Sequence, residues 1–452
     1  MYNFQPNTVY TGKMENVLPY FPENIFHSIV ADPPYGLGEE PDVAEVMKAW
    51  LDHSYYKPKN KGGFMGKVWD AFVPQPVQWT QAYRTLKPGG FAVIASGTRT
   101  VDWMCMGLRF AGFKIRDIIP WHYGTGFPKS MDVSKMIDKG AGAEREKLHI
   151  SSITGARKKS TIDDKNGKDD RTFSNKETVT NYITAPATDA AKQWDGYGTA
   201  LKPATELFIL AQKPISEKTI AKNVLLHGTG CLNINGCRIA FTSDQDKATA
   251  VWGRGTEILS GNYVAGTGSK TSGRTNIEPN DAGRWPANLI LDPHMSAVMD
   301  RMAPDAGAFA AVSGGKCGKS KGIYGDYKEK GNGEDIFYAD SGGASRFFYC
   351  AKPTEGERNK GFTTEHYLGD FPNGNDHVTV KPIELMRWLV RLVTPKNGIV
   401  CDPFAGSGST ICGANMEGLP WVAVEMDERN ASICNIRVKA WNPEKYIPQE
   451  LF

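Results

Sequence analysis

Two short segments near opposite ends of the chain constrain the fold most. Ser28-Ile29-Val30-Ala31 runs into Asp32-Pro33-Pro34-Tyr35, and Gly398-Ile399-Val400-Cys401 runs into Asp402-Pro403-Phe404-Ala405-Gly406-Ser407-Gly408. A short, mostly apolar run without alternation fits a strand covered on both faces, which is the usual state of parallel sheets. Proline after the acid ends the ladder. Each segment is therefore expected to be a buried parallel strand that delivers a polar turn at its carboxyl end. In open α/β sheets that edge binds ligands.

Further strands are predicted over 8–11, 91–95, 115–121, 206–212, 346–351 and 421–424. Helical spacing marks 42–50, 77–86, 101–110, 382–393, 410–417 and 429–440, with a helical turn over 14–21 and a short helix over 214–224. Lys87-Pro88-Gly89-Gly90 is a strong stop after the 77–86 helix. Strands alternating with helices at both ends predict the α/β class, as one doubly wound, mostly parallel Rossmann-like sheet assembled from both termini. The middle differs. Residues 124–205 carry Lys158-Lys159-Ser160 and the mixed-charge run 163–171, which reads as loop or mobile insertion. Residues 206–224 return to the regular texture. Residues 225–345 are glycine-rich with short strands such as Leu289-Ile290-Leu291, and predict a separate irregular domain. The resulting division is 1–123, 124–205, 206–224, 225–345 and 346–452.

The 452 residues leave room for two or three domains, and 40% hydrophobic with 23% charged content indicates a soluble globular class. A net charge of only +3 means that any nucleic-acid surface must be a local patch. The eight cysteines contain no CxxC, Cys231 and Cys237 being the nearest thing to a pair, and the eight histidines show no metal spacing. Free buried thiols, no metal and a reducing compartment are expected. Met1–Pro6 lacks a signal-peptide start and no apolar run is long enough for a bilayer. A cytoplasmic location is the expectation.

The two turns imply different ligands. Gly406 and Gly408 let backbone approach a ligand closely, and helix amides there favour a carboxylate or phosphate. Glu425, at the end of the next strand, can accept from both hydroxyls of a ribose. The full GxGxxG fingerprint is missing, because Cys412-Gly413 does not complete it. At the first turn, two prolines stiffen the chain, and Asp32 with the carbonyl before Pro34 makes a rigid pair of acceptors. Such a pair suits the two hydrogens of an –NH2 group, and Tyr35 offers a face to the ring bearing it. An aromatic amine is a poor nucleophile; hydrogen bonds from its N–H groups favour lone-pair density on nitrogen. That density must lie in line with the transferred carbon, about 3–3.5 Å away. Methyl transfer onto an exocyclic amine is the chemistry these turns fit together.

On these residues the chain resembles the amino-group DNA methyltransferases that use S-adenosyl-L-methionine, specifically the N6-adenine group. The resemblance implies that Asp32, Pro33, Pro34 and Tyr35 hold the target amine. It implies that Asp402, Phe404, Gly406, Ser407 and Gly408 bind the cofactor, with Glu425. The catalytic turn precedes the cofactor turn, as in the permuted class called beta, so the middle of the chain would hold the target-recognition region at 225–345. Asp376-His377-Val378-Thr379-Val380-Lys381-Pro382 resembles the family's His-Pro-Thr-x-Lys-Pro element. That likeness implies Thr379 and Lys381 near the cofactor, with Lys381 pairing its carboxylate. Two departures stand out: Val378 replaces a proline, and Lys13 of Gly12-Lys13 replaces an acid, so no adenine contact is carried over to it. Residues 121–130 and 198–203 resemble segments of phage and prophage members. Their aromatic and basic residues are candidate DNA contacts, with a core or loop role as the equal alternative.

The partner so implied is double-stranded DNA, with the target base flipped out of the stack. Lys57, Lys59, Lys61, Lys129, Lys135 and Arg284 are candidate phosphate contacts, each weighed against a solvated face. A homodimer fits the resemblance, and a cognate restriction nuclease is left open. N4-cytosine methylation is the nearest alternative; serine more often opens the turn there, so Asp32 favours adenine. A catalytically inactive DNA-binding module is the other, motivated by Lys13 and Val378. Gly318-Lys319-Ser320 is not a P-loop, since Ser313 stands at the first glycine position and no strand precedes it. Leu291-Asp292-Pro293-His294, a third strand–acid–proline unit without glycines, is expected to be a turn.

Overall fold

The computed structural model describes residues 3–59, 68–124, 126, 130–156, 177–249, 280–304, 321–322, 325–326, 343–351, 356–377 and 379–441. The strands are β1 (Thr8–Thr11), β2 (Phe26–Ala31), β3 (Leu86–Ser96), β4 (Lys114–His122), β5 (Lys147–Ala156), β6 (Glu177–Thr184) and β7 (Thr205–Gln212). They continue as β8 (Ile290–Leu291), β9 (Lys321–Gly322), β10 (Gly325–Asp326), β11 (Tyr349–Cys350), β12 (Val400–Asp402) and β13 (Trp421–Glu425). Nine of them form one sheet in the order β1-β13-β12-β2-β3-β7-β4-β8-β11. Every neighbouring pair is parallel except the two that involve β7, which runs against both β3 and β4. The sheet is thus assembled from both termini, with β12 seated between β13 and β2.

The mostly apolar strands follow from burial on both faces. Ile29, Ala31, Ala92, Ile94, Ile209, Cys401 and Val422 point into one core, packed by the helices Val43–Leu51, Pro76–Thr85 and Val101–Phe110. Val30, Val93, Phe208, Leu210, Val400 and Ala423 point into the other, packed by Ile383–Val393, Ser409–Met416 and Glu428–Ala440. Successive residues of one strand alternate between the cores, as the pleat requires. Trp50 and Trp79 are fully buried; a large apolar side chain so placed contributes about 1.5–3 kcal/mol. Ser28, a fully buried polar residue in β2, bonds Thr394 Oγ1 at 2.7 Å.

Several expectations need correction. Lys87-Pro88-Gly89-Gly90 does end the helix, but these residues already belong to β3. Gly89, at φ 81°, donates to the Lys213 carbonyl, and Lys213 donates back to Gly90, so the far end of β7 draws the stop sequence into the ladder. The 346–351 strand shrinks to β11 behind a 3-10 turn, Ala344–Phe347, because buried Arg346 turns back to Asp246 at 3.0 Å. The 214–224 helix starts only at Ile220, capped by Thr219. Residues 361–376, where no element is predicted, contain the helix Thr364–Leu368 with a Thr363/His366 capping box. Asp292 caps the helix Pro293–Met302 by accepting from Met295, so the third strand–acid–proline unit is a helix start.

The chain divides into two compact units, 1–124 with 205–452, and 125–204. The described residues of 225–345 therefore do not stand apart: β8 lies between β4 and β11 in the large sheet, and Ile290 and Cys237 join its core. The 125–204 unit is more than loop. It holds the β5–β6 hairpin and the helices Val133–Gly140 and Asp189–Gln193. Buried Asp138 ties it together, accepting from the amides of Ala187 and Thr188 and from Arg145 at 2.7 Å. The mixed-charge run 163–171 lies outside the described residues, as do 313 and 318–320. Among the described residues, no helix is long and apolar enough to cross a membrane.

Candidate active site

Register sets the site. Cys401 of β12 lies opposite Ile29 of β2, so both strands end on one edge, with Asp402 level with Val30 and Asp32 two residues further along the neighbouring strand. The charge of Asp32 reaches Asp402. Because β7 is reversed, its first residues meet the last residues of its neighbours: Leu207 pairs with Ser96 and Glu206 with Trp121. Glu206 is thereby delivered to the same edge.

Four side chains converge there. Asp32 Oδ1 accepts from the Tyr35 hydroxyl at 2.9 Å and Oδ2 from Lys381 Nζ at 2.8 Å. Lys381 Nζ also lies 3.2 Å from Glu206 Oε2, and the Tyr35 hydroxyl 3.4 Å from the same oxygen. The ammonium stands 5.3 Å from the Tyr35 ring centroid. Burial works against a charge on Lys381, but the Asp32 and Glu206 carboxylates outweigh it and raise its pKa. Burial, and then the Asp32 charge, raise that of Tyr35, which stays a phenol able to donate. Thr100 Oγ1 donates to the Tyr35 carbonyl at 2.5 Å. Gly36 follows at φ 68°, its amide donating to Asp70 Oδ1 at 2.9 Å; a Cβ there would stand 2.5 Å from the Val73 amide. That close approach explains glycine after the turn.

The second turn is satisfied by its own neighbourhood. Gly406 donates to Glu425 Oε2 at 2.8 Å, and Asp427 to Oε1 at 2.9 Å. Asp402 Oδ1 accepts from the Phe404 amide at 3.0 Å. Burial first, with the Asp32 and Glu425 charges added, pushes the Asp402 carboxyl up to about 7 against its bonds to Thr410 and Phe404. Gly406 and Gly408 hold φ of 51° and 84°. A Cβ on Gly406 would lie 2.9 Å from His377 Nε2, and one on Gly408 2.5 Å from Cys434 Sγ. Buried Arg437 fixes the turn from behind, donating to the Ser407 carbonyl at 2.6 Å and to Ser407 Oγ at 3.0 Å. Phe404 packs on Trp79, ring centroids 5.6 Å apart. These residues fit a nucleoside cofactor: a tight glycine turn held by its own backbone bonds beside a fixed carboxylate, each of whose oxygens keeps a second lone pair.

The remaining expected residues sort as follows. Lys381, expected beside a cofactor carboxylate, is paired with Asp32 and Glu206 and also borders a cleft of about 280 Å³ formed by 356–359 and 380–382. Thr379 is exposed, its carbonyl 2.7 Å from His377 Nδ1, and its side chain is not part of the four-residue cluster. Gly12 donates to the Glu425 carbonyl at 2.8 Å, which sets Lys13 next to the end of β13. Arg284 is corrected: its side chain, 11% exposed, pairs with Asp246 at 2.6 Å and lies over the rings of Phe241 and Phe347, a structural use that removes it from the phosphate candidates. Lys59 pairs with Glu45 at 2.9 Å, exposed, and Lys135 with Asp132 at 3.6 Å. Lys57 is exposed. Lys61, Lys129 and Val378 lie outside the described residues. Glu206 was missed; a lone acid opening an otherwise apolar strand was the available signal.

The sequence matches the family profile described as DNA methylase, N6/N4 type, over residues 26–435. A 69-residue stretch is 42% identical to the type II methyltransferase M.HindIII of Haemophilus influenzae, covering 15% of this chain and 21% of that protein. A 63-residue stretch is 41% identical to the methylase YubD of Escherichia coli K12, covering 14% and 28%. The chain thus spans about a quarter of the length of these curated relatives. Among solved structures, the PvuII DNA methyltransferase (cytosine-N4-specific) is similar at TM-score 0.40 and 10% identity, over 100% of this chain and 89% of that one. A DNA modification methylase of Thermus thermophilus complexed with S-adenosyl-L-methionine is similar at TM-score 0.35 and 14% identity, over 96% and 94%. Both likenesses are too distant to bear on the reaction. The family match runs from β2 into the Glu428–Ala440 helix and takes in both turns, and the chain belongs to the N6/N4 DNA methylases.

Proposed function

We propose that this chain transfers a methyl group from S-adenosyl-L-methionine to N6 of a flipped adenine in double-stranded DNA. The observation that carries this is the adjacency of the two turns: Asp32 and Asp402 leave neighbouring parallel strands on one edge. Asp402, Phe404, Gly406, Ser407 and Gly408, with Glu425, hold the cofactor, and Glu425 takes the ribose hydroxyls. Once bound, the cofactor would supply an electrophilic methyl on a sulfonium, whose sulfur–methyl bond breaks to leave a neutral thioether. Asp32 and the carbonyl before Pro34 accept from the target –NH2 and orient its lone pair at that carbon. Tyr35 stacks on the base and holds Asp32 through its hydroxyl. As the amine nitrogen takes the methyl it becomes cationic, and its surplus proton passes to Asp32 or to solvent.

Adenine is favoured over cytosine because an acid, not serine, opens the turn. The catalytic-first order corresponds to the permuted, beta arrangement, with sequence readout assigned to 225–345. Site-specific modification fits the short likeness to a type II methyltransferase. The test is mass analysis of nucleosides from DNA incubated with the protein and S-adenosyl-L-methionine. N6-methyladenine is expected, and N4-methylcytosine as the sole product overturns the adenine assignment.

A further inference from the structure

We propose that Glu206 and Lys381 are positioning residues of the catalytic turn, Glu206 holding the Lys381 ammonium so that it clamps Asp32 while the site stays anionic. This rests on the methyl-transfer function proposed above. Three elements far apart in sequence meet here: the end of β2, the start of β7, and the segment that leads into the Ile383–Val393 helix. Lys381 Nζ stands 2.8 Å from Asp32 and 3.2 Å from Glu206, and its side chain is only 7% exposed. An ammonium buried to that degree needs close anionic partners to hold its charge.

The second acid has a charge to balance. Asp32 with Lys381 alone would be neutral, and a neutral pair gives little to an amine that turns cationic as it is methylated. Glu206 returns the cluster to a net charge of −1, counting the Tyr35 phenol as neutral. Preorganised negative charge beside a developing cation is what lowers such a barrier. The reversal of β7 is the device that makes this placement: in a fully parallel sheet, Glu206, the second residue of that strand, would lie at the opposite edge.

The same geometry separates this role from cofactor binding. Lys381 also borders the cleft formed by 356–359 and 380–382, so a direct contact with the cofactor is the rival. Wild-type protein, E206Q, E206D, K381M, K381R and D32A are compared on PCR-amplified genomic DNA. Turnover is measured at saturating S-adenosyl-L-methionine and cofactor affinity by calorimetry. E206Q and K381M should each lower kcat tenfold or more with cofactor Kd within threefold of wild type, and E206D and K381R should recover part of the loss. A loss below tenfold in E206Q overturns the role of Glu206. A K381M protein that binds cofactor thirtyfold more weakly, yet regains turnover at saturation, overturns that of Lys381. If D32A itself turns over normally, the underlying assignment of the catalytic turn falls instead.

Discussion

The two turns reach the same edge by opposite means. The cofactor turn is held from close by: Glu425, 19 residues downstream, accepts from Gly406, and Asp427 completes the carboxylate. The catalytic turn is held from afar: Lys381 is 349 residues from Asp32, and Glu206 is 171 from Tyr35. One turn is fixed by its own backbone amides and glycine geometry, with Arg437, 30 residues on, donating to Ser407 from behind; the other is fixed by ion pairs between segments more than 150 residues apart. Buried charge is sensitive to the loss of any one partner, whereas amide bonds lost one at a time cost about 0.5–1.5 kcal/mol each.

The largest expected effect therefore falls on the catalytic turn. Asp32→Ala should reduce methyl transfer at least ~1,000-fold, as expected for loss of an oriented acceptor at the reacting atom. Cofactor affinity should stay within a few-fold, because the cofactor turn does not draw its bonds from Asp32. Single-turnover transfer beside calorimetric Kd measures both. Unchanged turnover removes Asp32 from the chemistry, and a parallel collapse of cofactor binding removes the independence of the turns.

The next effect tests the charge that the turns share. Asp402 is fully buried and its carboxyl is pushed up to about 7, burial being the main cause. In the unfolded chain it ionises near the ordinary carboxylate value, so between about pH 4 and 7 the unfolded state sheds a proton that the folded state keeps. Stability from this group is complete at low pH and is lost as pH rises toward 7. The loss is at most about 4 kcal/mol, since each pH step between the two ionisation points contributes about 1.36 kcal/mol. Asp402→Asn should remove that slope, gaining on wild type as pH rises from 4 to 7 in urea unfolding. Parallel curves for the two proteins across that range would show that Asp402 is ionised in the fold.

Glu425→Ala should weaken cofactor binding about 10- to 100-fold, from lost ribose contacts and from the freed Gly406 and Asp427 amides. Filter binding of DNA should be unaffected. Equal cofactor affinity would show that the carboxylate only caps the loop.

What could be read from the sequence divides along the same line. The strand–acid–proline units, the glycines at 406 and 408 and the acid at 425 lie within short windows, and local rules find them. β2, β12 and β13 follow from mostly apolar runs. Lys381 was legible as a site residue through a likeness of motif, but its partner was not. Nothing in the stretch Thr205-Glu206-Leu207-Phe208 says that its strand runs backwards. Strand direction depends on which neighbours it pairs with, a tertiary property, and direction alone decides whether Glu206 reaches the site. Arg284 failed as a phosphate contact for a related reason: an ion pair with Asp246, in another segment, turns a basic residue into a structural one. The join of β8 to the large sheet was hidden by its length of two residues.

The smallest effect belongs to the backbone of the cofactor turn. Gly408→Ala places a Cβ 2.5 Å from Cys434 Sγ at φ 84°, a region that alanine enters only with strain. Cys434 sits on the Glu428–Ala440 helix, fully buried, so it has little room to retreat. A cost of about 1–3 kcal/mol is expected. The lesion should be local, since the ion pairs of the catalytic turn draw on other segments. Turnover at saturating cofactor should therefore fall less than cofactor affinity does. Gly408→Ala combined with Cys434→Ala should recover part of the stability by removing the clash, leaving only the φ strain. If the double variant is no more stable than the single one, the cost lies in the backbone alone, and contact with the Glu428–Ala440 helix plays no part in shaping the turn.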